Sequence, residues 1–249
     1  MIRENPYGLQ QIQEDLLVIF THFNELCIDN KIDYSAFAGT LLGAIREEGF
    51  IPWDDDVDVV MTLNNYEKLK NLLTDNDEYY IDLEDSWVPR FRNKKNGPFV
   101  DIFLLTEAPP DWKRKSKIFQ LKILQGMLKK YKTARNLSLV YRILSFGTKT
   151  MGKIFPRSFL LKRYWKIAYE KQYSSDYYYI PNFGFIYLKL LFKKSELDKG
   201  YIDVKFENIF VKSFKEYDHM LTIHYGADYM IPTKESERII LHANQINNI

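Results

Sequence analysis

Cysteine is nearly absent from this chain, and so is any long apolar run. Cys27 is the sole cysteine, which excludes an intrachain disulfide and any zinc site built on cysteines. A reducing, cytoplasmic setting is expected. No apolar stretch approaches the ~18 residues of a membrane-spanning helix. The best candidate, Ile180 to Phe192, is too short and carries Lys189. The opening MIRENPYGLQQIQEDL has no apolar signal core, which predicts no secretion. Internal repeats and low-complexity linkers are also missing. What is present is ordinary for a globular protein: 249 residues, 46% hydrophobic, 27% charged and 16% aromatic. That excludes a disordered chain and allows one large domain, or one domain with a sizeable subdomain.

The formal net charge of +2 hides a strong asymmetry. Residues 1–110 hold 9 Lys/Arg and 21 Asp/Glu. Residues 111–194 hold 20 Lys/Arg and only 3 Asp/Glu, and residues 195–249 hold 6 and 9. The basic block is either a surface for an anionic partner or a solvated helical face whose lysine stems cover apolar area. No nucleic-acid module is recognisable, so nucleic acid is not an expected partner.

Hydrophobic spacing predicts a helix over residues 8–27, with Leu9, Ile12, Leu16, Ile19, Phe20, Phe23 and Cys27 on one face. Ile32 to Phe37 reads as a short strand ended by Gly39 and Thr40. Leu41 to Glu48 reads as a helix with Thr40 as N-cap. Val57 to Thr62 reads as a buried strand, followed by a helix through Leu73 capped by Asn64 or Asn65. Tyr79 to Leu83, Val88 to Arg92 and Phe99 to Leu105 read as three more strands, closed by Pro109 and Pro110. Residues 111–173 read as helical in two or three pieces, broken at Gly147, Gly152 and Pro156. Residues 177–192 are ambiguous. Tyr201 to Val211 suits a hairpin turning at Glu207 and Asn208, and Phe214 to Tyr225 a helix ended by Gly226. The fold class is therefore α+β: a mixed sheet flanked by helices, with a basic helical insert. Its expected parts are a core over 1–110, the insert over 111–194, and a hairpin and helix over 195–249 packing back on the core.

The informative string is FAGTLLGAIREEGFIPWDDDVDVVM, residues 37–61. Asp54, Asp55, Asp56 and Asp58 fall within five positions. Carboxylates so close repel one another unless a cation sits among them. On a strand, Asp56 and Asp58 would project from one sheet face. That platform suits Mg²⁺ or Mn²⁺, which take oxygen ligands. An acidic surface loop is the bland alternative. Gly39 and Thr40 open a helix, where free backbone N–H groups favour phosphate. Arg46, near the end of that helix, is placed to reach an anion. Asp101, in PFVDIFLL, lies on another apolar strand and would share the face of Asp56 and Asp58.

The combination of a Gly-Thr turn, an Asp-x-Asp strand and a later Asp resembles the nucleotidyltransferase superfamily. The interval from Thr40 to Asp56 is longer than in its polymerase-like members. The string G-T-L-L-G-A-I-R-x-x-G-F-I-P-W-D-D-D-x-D is similar to a narrower group, the LicD phosphotransferases, which take in the fukutin-related proteins. VDIF at 100–103 and YDHMLTIHYGADYMIP at 217–232 resemble that family's later motifs. The basic middle carries no family signature.

The resemblance implies a nucleotidyltransferase-like core over residues 1–110. It also implies transfer of a phospho-alcohol, phosphocholine above all, from a CDP-activated donor. The acceptor would be a hydroxyl of a cell-surface glycan or its lipid-linked precursor, and CMP would leave. The other reading is a nucleotidyltransferase that moves NMP onto a small molecule or protein and releases pyrophosphate. A third is a binding module whose site has decayed, against which the intact carboxylates argue. On the first reading Asp56 and Asp58 hold Mg²⁺ or Mn²⁺, with Asp55 as a further ligand or tuning residue. Asp101 is a third ligand or the general base. Gly39, Thr40 and Arg46 bind donor phosphate. Trp53 stacks on cytosine or choline, or is a core aromatic. Arg90 and Arg92 bind donor phosphate, or lie on a solvated edge strand with Lys94 and Lys95. His224 lines the acceptor site, or is a core histidine. The basic insert would rest on anionic headgroups at the inner face of the cytoplasmic membrane.

Overall fold

The computed structural model describes residues 5–73, 78–84, 86–95, 97–128, 139–170, 173–182 and 190–234. It divides into two units. One holds residues 1–82, 88–105 and 192–249; the other holds 83–87 and 106–191. The mixture of helices and a mixed sheet makes the class α+β.

The first unit opens with α1 (Gln10–Asp29), whose apolar stripe of Leu16, Ile19, Phe20, Phe23 and Cys27 is buried. Ile32 N–H donates to the Cys27 carbonyl at 2.8 Å, so the chain is still closing the helix where a strand was expected. Only Ser35–Ala36 forms β1. The following helix, α2 (Ala38–Arg46), starts two residues before the expected cap. Phe37, extended at φ −139°, takes the N-cap position, and Thr40 lies inside the helix. β2 (Asp58–Thr62) begins at Asp58, so Asp56 precedes the strand. In α3 (Leu63–Leu72) the cap is the Thr62 hydroxyl, which accepts from Asn65 N–H at 3.3 Å. The predicted asparagine caps instead sit inside the helix.

β3 (Tyr79–Asp82), β4 (Arg90–Asn93) and β5 (Phe99–Glu107) form the rest of the main path of the sheet. The strand order is β1-β2-β5-β4-β3. β2 and β5 are parallel and central; the other pairs are antiparallel. Val59, Val60, Met61, Val100, Ile102 and Leu104 fill the sheet's buried positions. Burying both faces of the β2–β5 pair explains its near-continuous apolar sequence.

A second sheet is the hairpin β8 (Tyr201–Phe206) and β9 (Ile209–Phe214), turning at Glu207 and Asn208 as the sequence predicts. The short strand β6 (Tyr177–Tyr179) pairs antiparallel with the end of β5 at Thr106 and Glu107, and β7 (Phe192–Lys193) and the turn of helix α7 (Lys194–Leu197) precede the hairpin in sequence. Phe206 packs edge-on against Phe20 and Phe50, at 5.5 and 4.8 Å between ring centres. α8 (Tyr217–Tyr225) ends at Gly226, whose φ of +98° excludes most side chains.

The second unit is mainly helical: α4 (Asp111–Leu128), α5 (Leu139–Gly152) and α6 (Arg157–Trp165), the last running into a π-helical turn at Lys166–Glu170. Gly147, an expected break, lies inside α5; Gly152 ends that helix and Pro156 precedes the next. A Cβ at Gly126 would press on Thr148, and one at Gly152 on the Met127 carbonyl, so these glycines let α4 and α5 approach closely. Ile118, Leu121, Leu160, Tyr164 and Tyr179 are buried here. Among the described residues no helix is long and apolar enough to cross a membrane.

Candidate functional site

The acidic string lies between α2 and β2. Its backbone is fastened from α1. Gln13 Nε2 donates to the carbonyls of Asp54, at 2.9 Å, and Ile51, at 3.2 Å. Asn5 Nδ2 donates to the Pro52 carbonyl and to Gln13 Oε1, both at 2.8 Å. From the other side, Glu207 Oε1 accepts from Phe50 N–H at 3.0 Å. Sequence reasoning missed all three anchors. Gln13 left a signal, as a polar residue between Leu9 and Leu16 on the buried stripe of α1.

The start of α2 fits tightly against this loop. Asp54 packs on Gly39 so closely that a Cβ there would overlap Asp54 Oδ2. Ala38 takes φ +45°, a left-handed conformation that a non-glycine residue adopts at a cost. The Thr40 hydroxyl accepts from Asp58 N–H at 2.9 Å, and Phe37 N–H donates to the Asp58 carbonyl at 3.0 Å. α2 and the head of β2 are therefore locked in register. The first-turn N–H groups of a helix have no acceptor within the helix, and Gly39 in this first turn lies against the Asp54 carboxyl.

Parallel pairing sets Asp58 directly opposite Asp101, and Asp101 N–H donates to the Val57 carbonyl at 2.9 Å. Burial pushes the Asp58 carboxyl well above the usual carboxylate range; Asp56, Asp101 and Asp54 push it further, and Arg90 opposes them. Asp54 is raised in the same way, by burial first and then by Asp56. Asp55 is buried. The structure thus brings Asp54, Asp56 and Asp101 within electrostatic reach of Asp58. Among the described residues, no three Asp, Glu, His or Cys side chains form a preformed metal cluster.

The basic candidates are committed to partners. Arg90 Nε donates to Asp101 Oδ1 at 2.9 Å, and Arg92 Nε lies 3.0 Å from Asp82 Oδ2. Both guanidinium groups lie over the Phe99 ring, at 4.0 and 4.5 Å. Arg46 turns to Glu47, at 2.7 Å, and donates to the Tyr229 carbonyl at 3.1 Å. Trp53 is half-buried and meets Tyr7 edge-on at 6.0 Å between ring centres. His224 stacks on Tyr225 at 4.2 Å, and burial lowers its pKa to about 4, so it is neutral at physiological pH.

Known proteins match this same stretch. Residues 31–122 match the family described as LicD/FKTN/FKRP, nucleotidyltransferase domain. The chain is similar to the lipopolysaccharide cholinephosphotransferase LicD of Haemophilus influenzae, with 27% identity over 263 residues that cover 92% of this chain and 94% of that protein. An uncharacterized protein of Rickettsia typhi is 32% identical over 125 residues, covering 46% of this chain and 38% of its own length. One of Rickettsia prowazekii is 47% identical over 52 residues, 21% of this chain and 17% of its own.

Proposed function

This chain is a member of the LicD family, and on that premise we propose that it is a phosphotransferase moving phosphocholine from a CDP-activated donor to a glycan hydroxyl. The acceptor is a cell-surface glycan or its lipid-linked precursor, and CMP is released. The observation that carries this reading is the pairing of Asp58 with Asp101 on parallel strands beside the start of α2. Carboxylates and the start of a helix lie close together there, a combination that suits a pyrophosphate and its counter-ion.

The donor set suits Mg²⁺ or Mn²⁺. It is all oxygen, and its members raise one another's proton affinity, a repulsion that a divalent cation relieves. Mg²⁺ is commonly held by one or two carboxylates and completed by substrate phosphates, so a preformed three-residue cluster is not needed. Asp56 and Asp58 would hold the ion, with Asp101 and Asp55 as further donors. When bound, the ion neutralises charge on the donor phosphates and on departing CMP.

The chain's own groups supply the rest. The N–H groups of Gly39 and Thr40 hold a donor phosphate. Arg90 is ion-paired with Asp101, and an ion-paired carboxylate is a weak base, which favours the ligand role over that of general base. Arg90 itself adds positive charge next to the phosphates. Trp53 offers a ring face to cytosine or to the quaternary ammonium of choline. The acceptor oxygen bonds to the choline-bearing phosphorus as the bond from that phosphorus to the CMP oxygen breaks, and the hydroxyl proton passes to the phosphate of departing CMP or to water. The basic second unit, with exposed Phe146, Ile154 and Phe155, rests on anionic lipid at the cytoplasmic membrane face.

The second reading, NMP transfer with release of pyrophosphate, is favoured by the nucleotidyltransferase description of the matching domain. One experiment separates the two. CDP-choline is titrated calorimetrically into the protein with and without Mg²⁺, alongside Asp58→Asn, and products are identified. Metal-dependent binding lost in Asp58→Asn, with turnover down roughly 10²–10³-fold and CMP as product, is the expected result. Pyrophosphate released from CTP, with no binding of CDP-choline, would overturn it.

A further inference from the structure

Outside the carboxylate site, the second unit contains an open cavity of about 610 Å³ between α4 and the π-helical turn. Its lining is strongly basic: Lys113, Lys117, Arg163 and Lys166, against a single acid, Glu170. Glu170 is spoken for in part, since it lies 3.6 Å from Lys166 Nζ. Two aromatic rings, Trp112 and Tyr173, stand in the same wall.

Lys117 is the unusual member. It is only 8% exposed, and its Nζ has no hydrogen-bond partner. Its surroundings are the Tyr173 and Tyr179 rings, with centres 5.7 and 5.8 Å from Nζ. Two more buried polar atoms in this neighbourhood, Arg114 Nε and the Tyr179 hydroxyl, also lack hydrogen-bond partners. Buried polar groups are nearly always satisfied, and exceptions mark places where a ligand or ion completes the set. Burial lowers Lys117 to about 8, as expected of an ammonium with no anion beside it. A π-helical turn in the wall is a feature often found at functional sites.

We propose that this cavity binds a phosphorylated sugar, its phosphate on Lys113 and Arg163 and its ring against Trp112 and Tyr173, with the covered Lys117 ammonium swinging out from between the Tyr173 and Tyr179 rings to meet the phosphate. The phosphate fits because it is the common biological anion with enough charge and acceptors for three cations. The cavity exceeds what a bare phosphate fills and lies in the range of whole small-molecule sites. The aromatic walls suit the C–H face of a sugar ring. The sugar phosphate is either a soluble ester or the headgroup of a lipid. This site is independent of the reading of the carboxylates.

The test is titration of glucose-6-phosphate, with glucose and inorganic phosphate as partial probes, followed by calorimetry. Lys117→Met removes the ammonium but keeps the stem's volume, and loss of an unpartnered buried charge leaves the fold at least as stable. Arg163→Gln changes an exposed side chain and serves as the second variant. Saturable binding of glucose-6-phosphate, weaker binding of phosphate, none of glucose, and a loss of roughly tenfold or more in Lys117→Met are expected. Arg163→Gln should weaken binding severalfold. Unchanged affinity in both variants, or no saturable binding to the parent protein, would overturn the proposal. Vesicles of phosphatidylinositol in phosphatidylcholine, at high salt, identify the source. Capture that depends on Lys117 assigns a lipid headgroup; binding of glucose-6-phosphate without capture assigns a soluble ester.

Discussion

At the scale of single residues, the site depends on Gly39. Asp54 Oδ2 occupies the space that a Cβ at this position would need, and the neighbouring Ala38 is already held at φ +45°. Gly39→Ala should therefore displace the Asp54 loop, an overpacking worth about 1–3 kcal/mol. We expect kcat/KM for the proposed phosphocholine transfer to fall roughly tenfold or more while far-UV circular dichroism is unchanged. An unaltered kcat/KM would mean that the loop yields without consequence. His224 offers a pH test. Its folded pKa, about 4, lies below the ordinary 6.5, so protons bind the unfolded chain more tightly. Its contribution is fully present above pH 6.5 and is lost as pH falls toward about 4. The loss is on the order of 3 kcal/mol, and it should be missing from urea unfolding curves of His224→Phe. A pH dependence that persists in that variant would assign it elsewhere.

At the scale of elements, most boundaries follow from spacing, and the departures share a cause. β1 shrinks to two residues because the end of α1 closes on Ile32. α2 starts early because Phe37 can cap it by backbone geometry alone, which frees the Thr40 hydroxyl for Asp58 N–H. Each is a choice between two acceptable local conformations, made by a partner distant in sequence. The same holds for the hairpin β8–β9. Its turn residue Glu207 accepts from Phe50 N–H, and Lys205 lies 2.6 Å from Glu48, so it braces the turn that leads into the acidic string. Glu207→Ala leaves a buried N–H without that acceptor, at a cost of ~1–3 kcal/mol. The melting temperature should drop by several degrees, and activity should fall with it because the loop over 50–58 loosens. Full activity at an unchanged melting temperature would count against the brace.

At the scale of the whole molecule, charge is the dominant pattern. Basic residues concentrate in 111–194 and acidic ones before residue 110. The second unit, which carries most of that basic segment, also exposes Trp112, Phe119, Phe146, Ile154 and Phe155. Each Lys or Arg near an anionic surface contributes about 1 kcal/mol, screened by salt. The protein should sediment with phosphatidylglycerol vesicles at low salt, release progressively as salt rises, and ignore pure phosphatidylcholine. Sedimentation that is insensitive to salt, or absent, would remove the membrane surface from the proposal.

The sequence by itself determined the fold class, the order of most elements and the residues of the acidic string. Those are local facts: periodicity, turn residues and a nearly continuous motif act over a few positions. Only the tertiary structure decided how the string is held. It set Asp58 opposite Asp101, placed Asp56 before the strand rather than on it, paired Arg90 with Asp101, and turned Arg46 toward Tyr229. It also supplied Gln13 and Glu207 as anchors and left Lys117 buried without a hydrogen-bond partner. Strand register and long-range hydrogen bonds join residues tens of positions apart. Spacing carries no record of such partners, because the packing of the whole chain selects them.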